Sequence, residues 1–186
     1  WPVPNPPGVV VDAVSGPTAL GFLKEGLMSG KKVDELLNSI PSYYNMFLGA
    51  KGGSLGEVSV IAILIGAMFL MWKKVITWHI PISYIGTVFV FTWLLNIINP
   101  SLYVSPVFHL LTGGLMLGAF FMATDYSTSP MYYQGMLVYG IGCGVLTVLI
   151  RVWGGYPEGV SFAILIMNSI TPLINRFFKP KMFGAI

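Results

Sequence analysis

The stretch LGEVSVIAILIGAMFLMW, residues 55–72, has one acidic residue near its entrance, no charge after it, and Lys73 and Lys74 directly behind it. A run of ~20 apolar residues matches the hydrocarbon thickness of a bilayer. Four further runs have the same character: residues 75–98, 106–124, 135–153 and 160–178. Lipid offers a backbone no hydrogen-bond partners, so such runs cross it as helices. The strands of a membrane barrel would be shorter and would alternate apolar with polar residues, and these runs do not.

The composition agrees. Of 186 residues, 55% are hydrophobic and 9% charged, against about a quarter charged in soluble domains. The expected class is therefore an all-α integral membrane protein with five transmembrane helices. Three divisions follow: residues 1–54 as an outer-side segment, 55–178 as a five-helix membrane domain, and 179–186 as a cytoplasmic tail. The chain begins at Trp1, and WPVPNPPGVVVDAVSGPTALG has neither the basic start nor the apolar core of a signal peptide. A segment of a longer polypeptide is expected. The single cysteine, Cys143, lies inside a run and reads as a small buried residue.

Charge position sets an expected orientation. Lys73 and Lys74 follow the first run, and Arg176, Lys179 and Lys181 follow the fifth, so five crossings put both clusters on one side. Short loops rich in Lys and Arg stay in the cytoplasm. The C-terminus is then inside and residues 1–54 outside. Lys24, Lys31, Lys32 and Lys51 count against this, though they belong to a longer segment where the rule is weaker.

Ahead of the first run, residues 1–11 are proline-rich and extended, and residues 12–18 form a turn. Ser15 or Thr18 can cap a short helix running through Glu25. A second short helix is expected over residues 32–40, stopped by Pro41, and Tyr43, Tyr44 and Phe47 suit a membrane interface.

Few residues carry chemistry. Glu57, Asp125 and Glu158 lie near run ends and are candidates for an ion pathway; the competing reading is helix-end capping for Glu57 and Glu158 and a solvated loop for Asp125. His79 and His109 have no partners at metal-ligand spacing and read as packed, hydrogen-bonded residues. Arg151 is placed to snorkel or to pair with Glu158. There is no catalytic triad spacing, no phosphate-binding loop or dinucleotide fingerprint, and no nucleic-acid pattern. What remains is Asp12-Ala13-Val14-Ser15-Gly16-Pro17-Thr18-Ala19-Leu20, an exposed turn with a hydroxyl just past a glycine. The helix after it would aim its N-terminal amides at a phosphate on Thr18. As an isolated string it reads first as a loop and helix cap.

That string resembles the acceptor motif on which FMN is esterified through its phosphate to threonine. With GSLGEVS (53–59), GAFFMATDYSTSP (118–130) and VLIRVWGGYPEGVSFAILIMNSITPLI (148–174), the chain resembles the C-terminal half of D subunits of Rnf electron transport complexes. It is similar, more distantly, to B subunits of the sodium-pumping NADH:quinone reductase. The resemblance runs from Asp12 to Phe183 and implies one inverted five-helix repeat of a ten-helix, urea-transporter-like fold. It implies an electron-carrying subunit of a ferredoxin:NAD oxidoreductase that moves Na⁺ or H⁺, with FMN on Thr18 and with Asp12, Ser15 and Gly16 shaping the acceptor turn. A non-covalent riboflavin is implied as well, as are a bacterial or archaeal cytoplasmic membrane and partner subunits that carry a second covalent FMN and iron–sulfur clusters. Pro17 departs from the motif, where Ala is usual, and Asn175 stands where Asp is expected. The rival readings are a urea-transporter-like solute channel and a structural membrane subunit, both without flavin.

Overall fold

The computed structural model describes residues 17–30, 33–54 and 56–178, apart from the side chain of Asp34. Asp12, Ser15, Gly16 and the tail at 179–186 lie outside the described residues. Among the described residues there are helices and no strands. Three short helices come first: α1 (Ala19–Met28), α2 (Val33–Leu37) and α3 (Tyr43–Leu48). Then follow α4 (Val60–Trp72), α5 (His79–Ile98), α6 (Pro106–Leu111), α7 (Leu115–Leu117) running into a π-helical turn (Gly118–Met122), α8 (Tyr133–Trp153) and α9 (Val160–Phe177).

Helices α5, α8 and α9 have 20, 21 and 18 residues and are apolar enough to cross a membrane. At ~1.5 Å per residue, α5 spans about 30 Å. The architecture is that of a multi-pass membrane protein.

The other two expected runs are not single helices. Gly56 takes φ +93° and Ser59 caps the helix, so α4 starts only at Val60 and has 13 residues. Residues 49–54 and 56–59 are left as a loop, with Glu57 buried. In the run 106–124 the helix stops at Thr112, whose backbone is extended, and Gly113 takes φ +64° before α7 begins. Only glycine adopts that φ without strain. The pair Gly113-Gly114 thus converts one expected span into two half-helices facing each other across a break.

The bundle is built on α5 and α8, the most extensively packed pair. Gly140 and Gly144 of α8 form a G-x-x-x-G pair against α5. A Cβ on Gly144 would stand 3.0 Å from the Tyr84 carbonyl oxygen and 2.7 Å from Thr87 Cβ. Contact this close lets the Tyr84 hydroxyl share a hydrogen bond with Thr147 Oγ1 at 2.6 Å, inside the apolar core. Cys143 is buried in this core. The large residues left facing outward, such as Ile82, Trp93, Ile97, Leu165 and Leu173, face where lipid or a neighbouring helix would be.

Helices α1 to α3 are not a loose leader. Leu20, Leu23, Val33, Ile40 and Met46 form a second core with Val104 and Phe108, closing one end of the bundle. Ser42 caps α3, so the stretch expected only as an interfacial approach is a helical turn, and α2 is shorter than the 32–40 expected. Lys24 of α1 donates to the carbonyls of Arg151, Gly154 and Tyr156 at the C-terminal end of α8. An ammonium at a helix C-terminus opposes the negative end of its dipole.

Gly144→Val forces α5 and α8 apart, and overpacking of a close interface costs ~1–3 kcal/mol. A lowered melting temperature in detergent is the expected outcome; Gly86→Ala, at an open position on α5, is the control that leaves it unchanged.

Candidate functional site

The break at Gly113-Gly114 exposes two sets of backbone groups. The C-terminal end of α6 presents carbonyls without helical partners, and the N-terminal end of α7 presents amides. Buried non-helical backbone needs partners from protein or water. Here four charged side chains from three other parts of the chain converge on the break.

Two cations hold the carbonyl end. Arg151, 5% exposed, donates from Nη1 to the His109 carbonyl at 2.8 Å and from Nη2 to the Thr112 carbonyl at 3.2 Å. Lys51, 7% exposed, donates from Nζ to the Leu111 carbonyl. Two carboxylates stand at the amide end. Glu158 accepts from the Gly114 backbone N–H. Glu57, 7% exposed, accepts from the Ser54 amide at 2.9 Å, and its other oxygen lies 3.0 Å from where a Cβ on Gly114 would be. Each sign of charge opposes the dipole end that it faces.

The charges also act on one another. Burial pulls the Lys51 ammonium below the ordinary lysine value, while Glu57 and Glu158 draw it back up. Burial pushes the Glu158 carboxyl above its ordinary value, Glu57 adds to the rise, and Arg151 opposes it. Gly113 sits between the groups: a Cβ there would lie 2.9 Å from Arg151 Nη2 and 3.2 Å from Glu158 Oε1.

Of the residues singled out by sequence, Glu57 and Glu158 are brought together beside Gly113-Gly114: Glu158 faces the amide of Gly114, and Glu57 is held by the Ser54 amide with its other oxygen toward Gly114. Arg151 does not snorkel. It is buried and bound to backbone carbonyls. Asp125 stands apart at the other end of the bundle, exposed, accepting from Ser127 Oγ at 2.6 Å and Thr128 Oγ1 at 3.1 Å. Those bonds hold its carboxyl below the ordinary aspartate value. At that same end Asn175 accepts from the Met131 amide at 3.1 Å, tying the loop after Asp125 to α9.

Both histidines are packed, but the Nδ1 of each is buried without a hydrogen-bond partner, contrary to the expectation for satisfied residues. His79 stacks between Trp78 and Tyr133, and His109 lies in α6 beside Arg151. Among the described residues no group of His, Cys, Asp or Glu could hold a metal ion. Sequence reasoning missed Lys51 as a site residue. The adjacent glycines at 113 and 114, inside an apolar run, were the signal for a break that a buried cation would have to satisfy.

Thr18 is half-buried and caps α1, its Oγ1 accepting from the Gly21 amide at 3.2 Å. It stands at the closed end of the bundle, the same end as the break and the 154–159 loop. A cavity of about 320 Å³ opens between α1, the end of α8 and residues 102–104.

Arg151→Met removes both guanidinium bonds and leaves the His109 and Thr112 carbonyls unpaired, at ~1–3 kcal/mol for each buried orphan. The expected result is a marked drop in melting temperature, with faster hydrogen exchange at the amides that follow the break.

The model of the NQR2, RnfD, RnfE family matches residues 1–184. The chain is 47% identical over 176 residues to the D subunit of the proton-translocating ferredoxin:NAD(+) oxidoreductase complex of Clostridium ljungdahlii, covering 94% of this chain and 53% of that protein. It is 44% identical to the D subunit of an ion-translocating oxidoreductase complex of Stutzerimonas stutzeri, covering 95% and 50%. It is 43% identical to the D subunit of the Na(+)-translocating ferredoxin:NAD(+) oxidoreductase complex of Acetobacterium woodii, covering 95% and 51%. The chain spans about half the length of each of these relatives.

Proposed function

The chain belongs to the NQR2, RnfD, RnfE family, and on that footing we propose that it is the flavin-carrying membrane part of an ion-translocating ferredoxin:NAD oxidoreductase, with FMN joined by a phosphoester to Thr18. Its relatives are named as D subunits of such complexes. Other subunits of the same complex, including a second covalent-FMN subunit and iron–sulfur subunits, are its proposed partners, and riboflavin is a proposed non-covalent cofactor.

The observation that carries the reading is the position of Thr18. Its hydroxyl oxygen already accepts a hydrogen bond from an amide of α1's first turn. A phosphate on that oxygen sits where backbone N–H groups and the positive end of the helix dipole favour an anion. Pro17 directly before it is exposed and restricts the approach of the turn. The flavin supplies electron transfer; the protein holds it, orients it and sets its surroundings.

The five-pass topology belongs to this proposal, with residues 1–54 outside, 55–178 in the membrane and 179–186 in the cytoplasm. It amounts to one inverted repeat of a urea-transporter-like fold. Contacts at the two ends support alternation. Tyr43 meets Ser105 and Lys24 meets Gly154 at one end; Thr77 meets Met136 and Met131 meets Asn175 at the other. Two of the four lysines that weaken the charge argument, Lys24 and Lys51, are occupied by helix carbonyls, so they are not free loop charges. A broken span with facing half-helix ends is also the form that ion and substrate sites take in transporters.

Coupling to cation movement is assigned to Glu57 and Glu158. Both stand at the Thr18 end beside the break, where a carboxylate's cation occupancy responds to a change of nearby charge. Coupling of this kind needs differential affinity between two states. Asp125 is placed for an entrance on the opposite side.

Two experiments test the proposal. The purified complex, denatured and run on a gel, should show flavin fluorescence in this subunit's band, and Thr18→Ala should abolish it; a dark wild-type band would return the chain to the channel or structural reading. Glu57→Gln should weaken the cation dependence of electron transfer in the assembled complex, measured against Na⁺ concentration and pH. An unchanged dependence removes Glu57 from the pathway.

A further inference from the structure

The cavity beside α1 has a definite shape and composition. Its wall on α1 is Leu20, Leu23, Lys24, Leu27 and Met28, spaced three, four, seven and eight residues from the first, so it follows one helix face. That face begins two residues after Thr18. Tyr103, Trp153, His109 and Arg151 also line it. At about 320 Å³ it lies at the small end of ligand pockets, which run ~300–1,000 Å³.

Its polar groups are unevenly used. Lys24 donates to three carbonyls, which is all that an ammonium can give. Arg151 Nε and His109 Nδ1 are buried and have no partner. Unsatisfied buried nitrogens are rare, and each calls for a partner. Both belong to residues that line the cavity, although the two nitrogens themselves are covered and reach an occupant only when the side chains turn.

We infer that this cavity seats the ring system of the flavin whose phosphate is on Thr18, with the ring between the leucines of α1 and the aromatic pair Tyr103 and Trp153, and its polar edge toward Arg151 and His109. The inference rests on the covalent attachment proposed above. A flat, mostly apolar ring with carbonyl oxygens and an N–H along one edge matches the lining. The Arg151 Nε–H donates, and His109 Nδ1 donates or accepts according to its tautomer, each after a small turn of its side chain. The same Arg151 holds the carbonyls at the break. One side chain then touches both the flavin pocket and the site of Glu57 and Glu158, a direct physical contact between the redox group and the proposed cation site.

The test uses the purified complex, with the Thr18→Ala complex as the blank for every other flavin. A tryptophan in van der Waals contact quenches flavin emission, so Trp153→Phe should raise the native-state emission several-fold. Leu27→Trp fills the cavity; its denatured band should stay fluorescent while iodide quenching of the native flavin rises to the level of free FMN. A wild-type flavin already as open to iodide as free FMN overturns the inference, as does protection unchanged in Leu27→Trp. A wild-type band that is dark on the denaturing gel overturns instead the attachment on which it rests.

Discussion

Everything at one end of this molecule depends on a helix that stops at Thr112, inside the packed bundle. Between His109 and Gly114 the chain leaves carbonyls facing one way and amides the other, and each set would cost several kcal/mol unpaired in hydrocarbon. Arg151 and Lys51 take the carbonyls; Glu158 and Glu57 stand at the amides. The arrangement satisfies backbone and charge together, since each buried ion would also be costly without a partner of opposite sign. The two pairs come from the loop before α4, the end of α8 and the loop before α9, so the break gathers three separate parts of the chain.

The closing cap follows from the same requirement. Lys51 reaches Leu111 because the loop after α3 folds inward, and it does so against the apolar cluster of α1 to α3 over Phe108. Lys24 then ties α1 to the end of α8. The hydroxyl proposed to carry the flavin is in this way held on a folded cap, one helix away from the break. A flexible tail would leave the position of a tethered group undefined; a packed cap defines it to within the reach of the linker. For a protein whose chemistry belongs to a cofactor, positioning is the protein's main contribution.

Much of this was legible beforehand. The apolar runs marked α5, α8 and α9 to within a few residues, because lipid imposes length and composition on any segment that crosses it. Ser15 and Thr18 were the two candidate caps for the helix running through Glu25, and Thr18 is the cap. The acidic residues Glu57 and Glu158 were picked out as unusual. Their use was not legible: a carboxylate at the start of its own run reads as that helix's partner, whereas Glu158 turns to Gly114 and Glu57 lies between the Ser54 amide and Gly114. Of the two readings of Arg151, reaching for water fails and nearness to Glu158 holds, while its bonds to the carbonyls of a distant broken helix were not legible.

What this sequence determined by itself is whatever follows from counting along the chain: an all-helical membrane protein, the long spans, the capped helix after Thr18 and the family motifs. What only the tertiary structure decided is the convergence of Lys51, Glu57, Arg151 and Glu158 on Gly113-Gly114, together with the cavity under α1. The physical reason is that composition and periodicity report on a residue and its near neighbours, while a charge buried in a membrane protein is tolerated only by a partner that the fold brings to it from elsewhere.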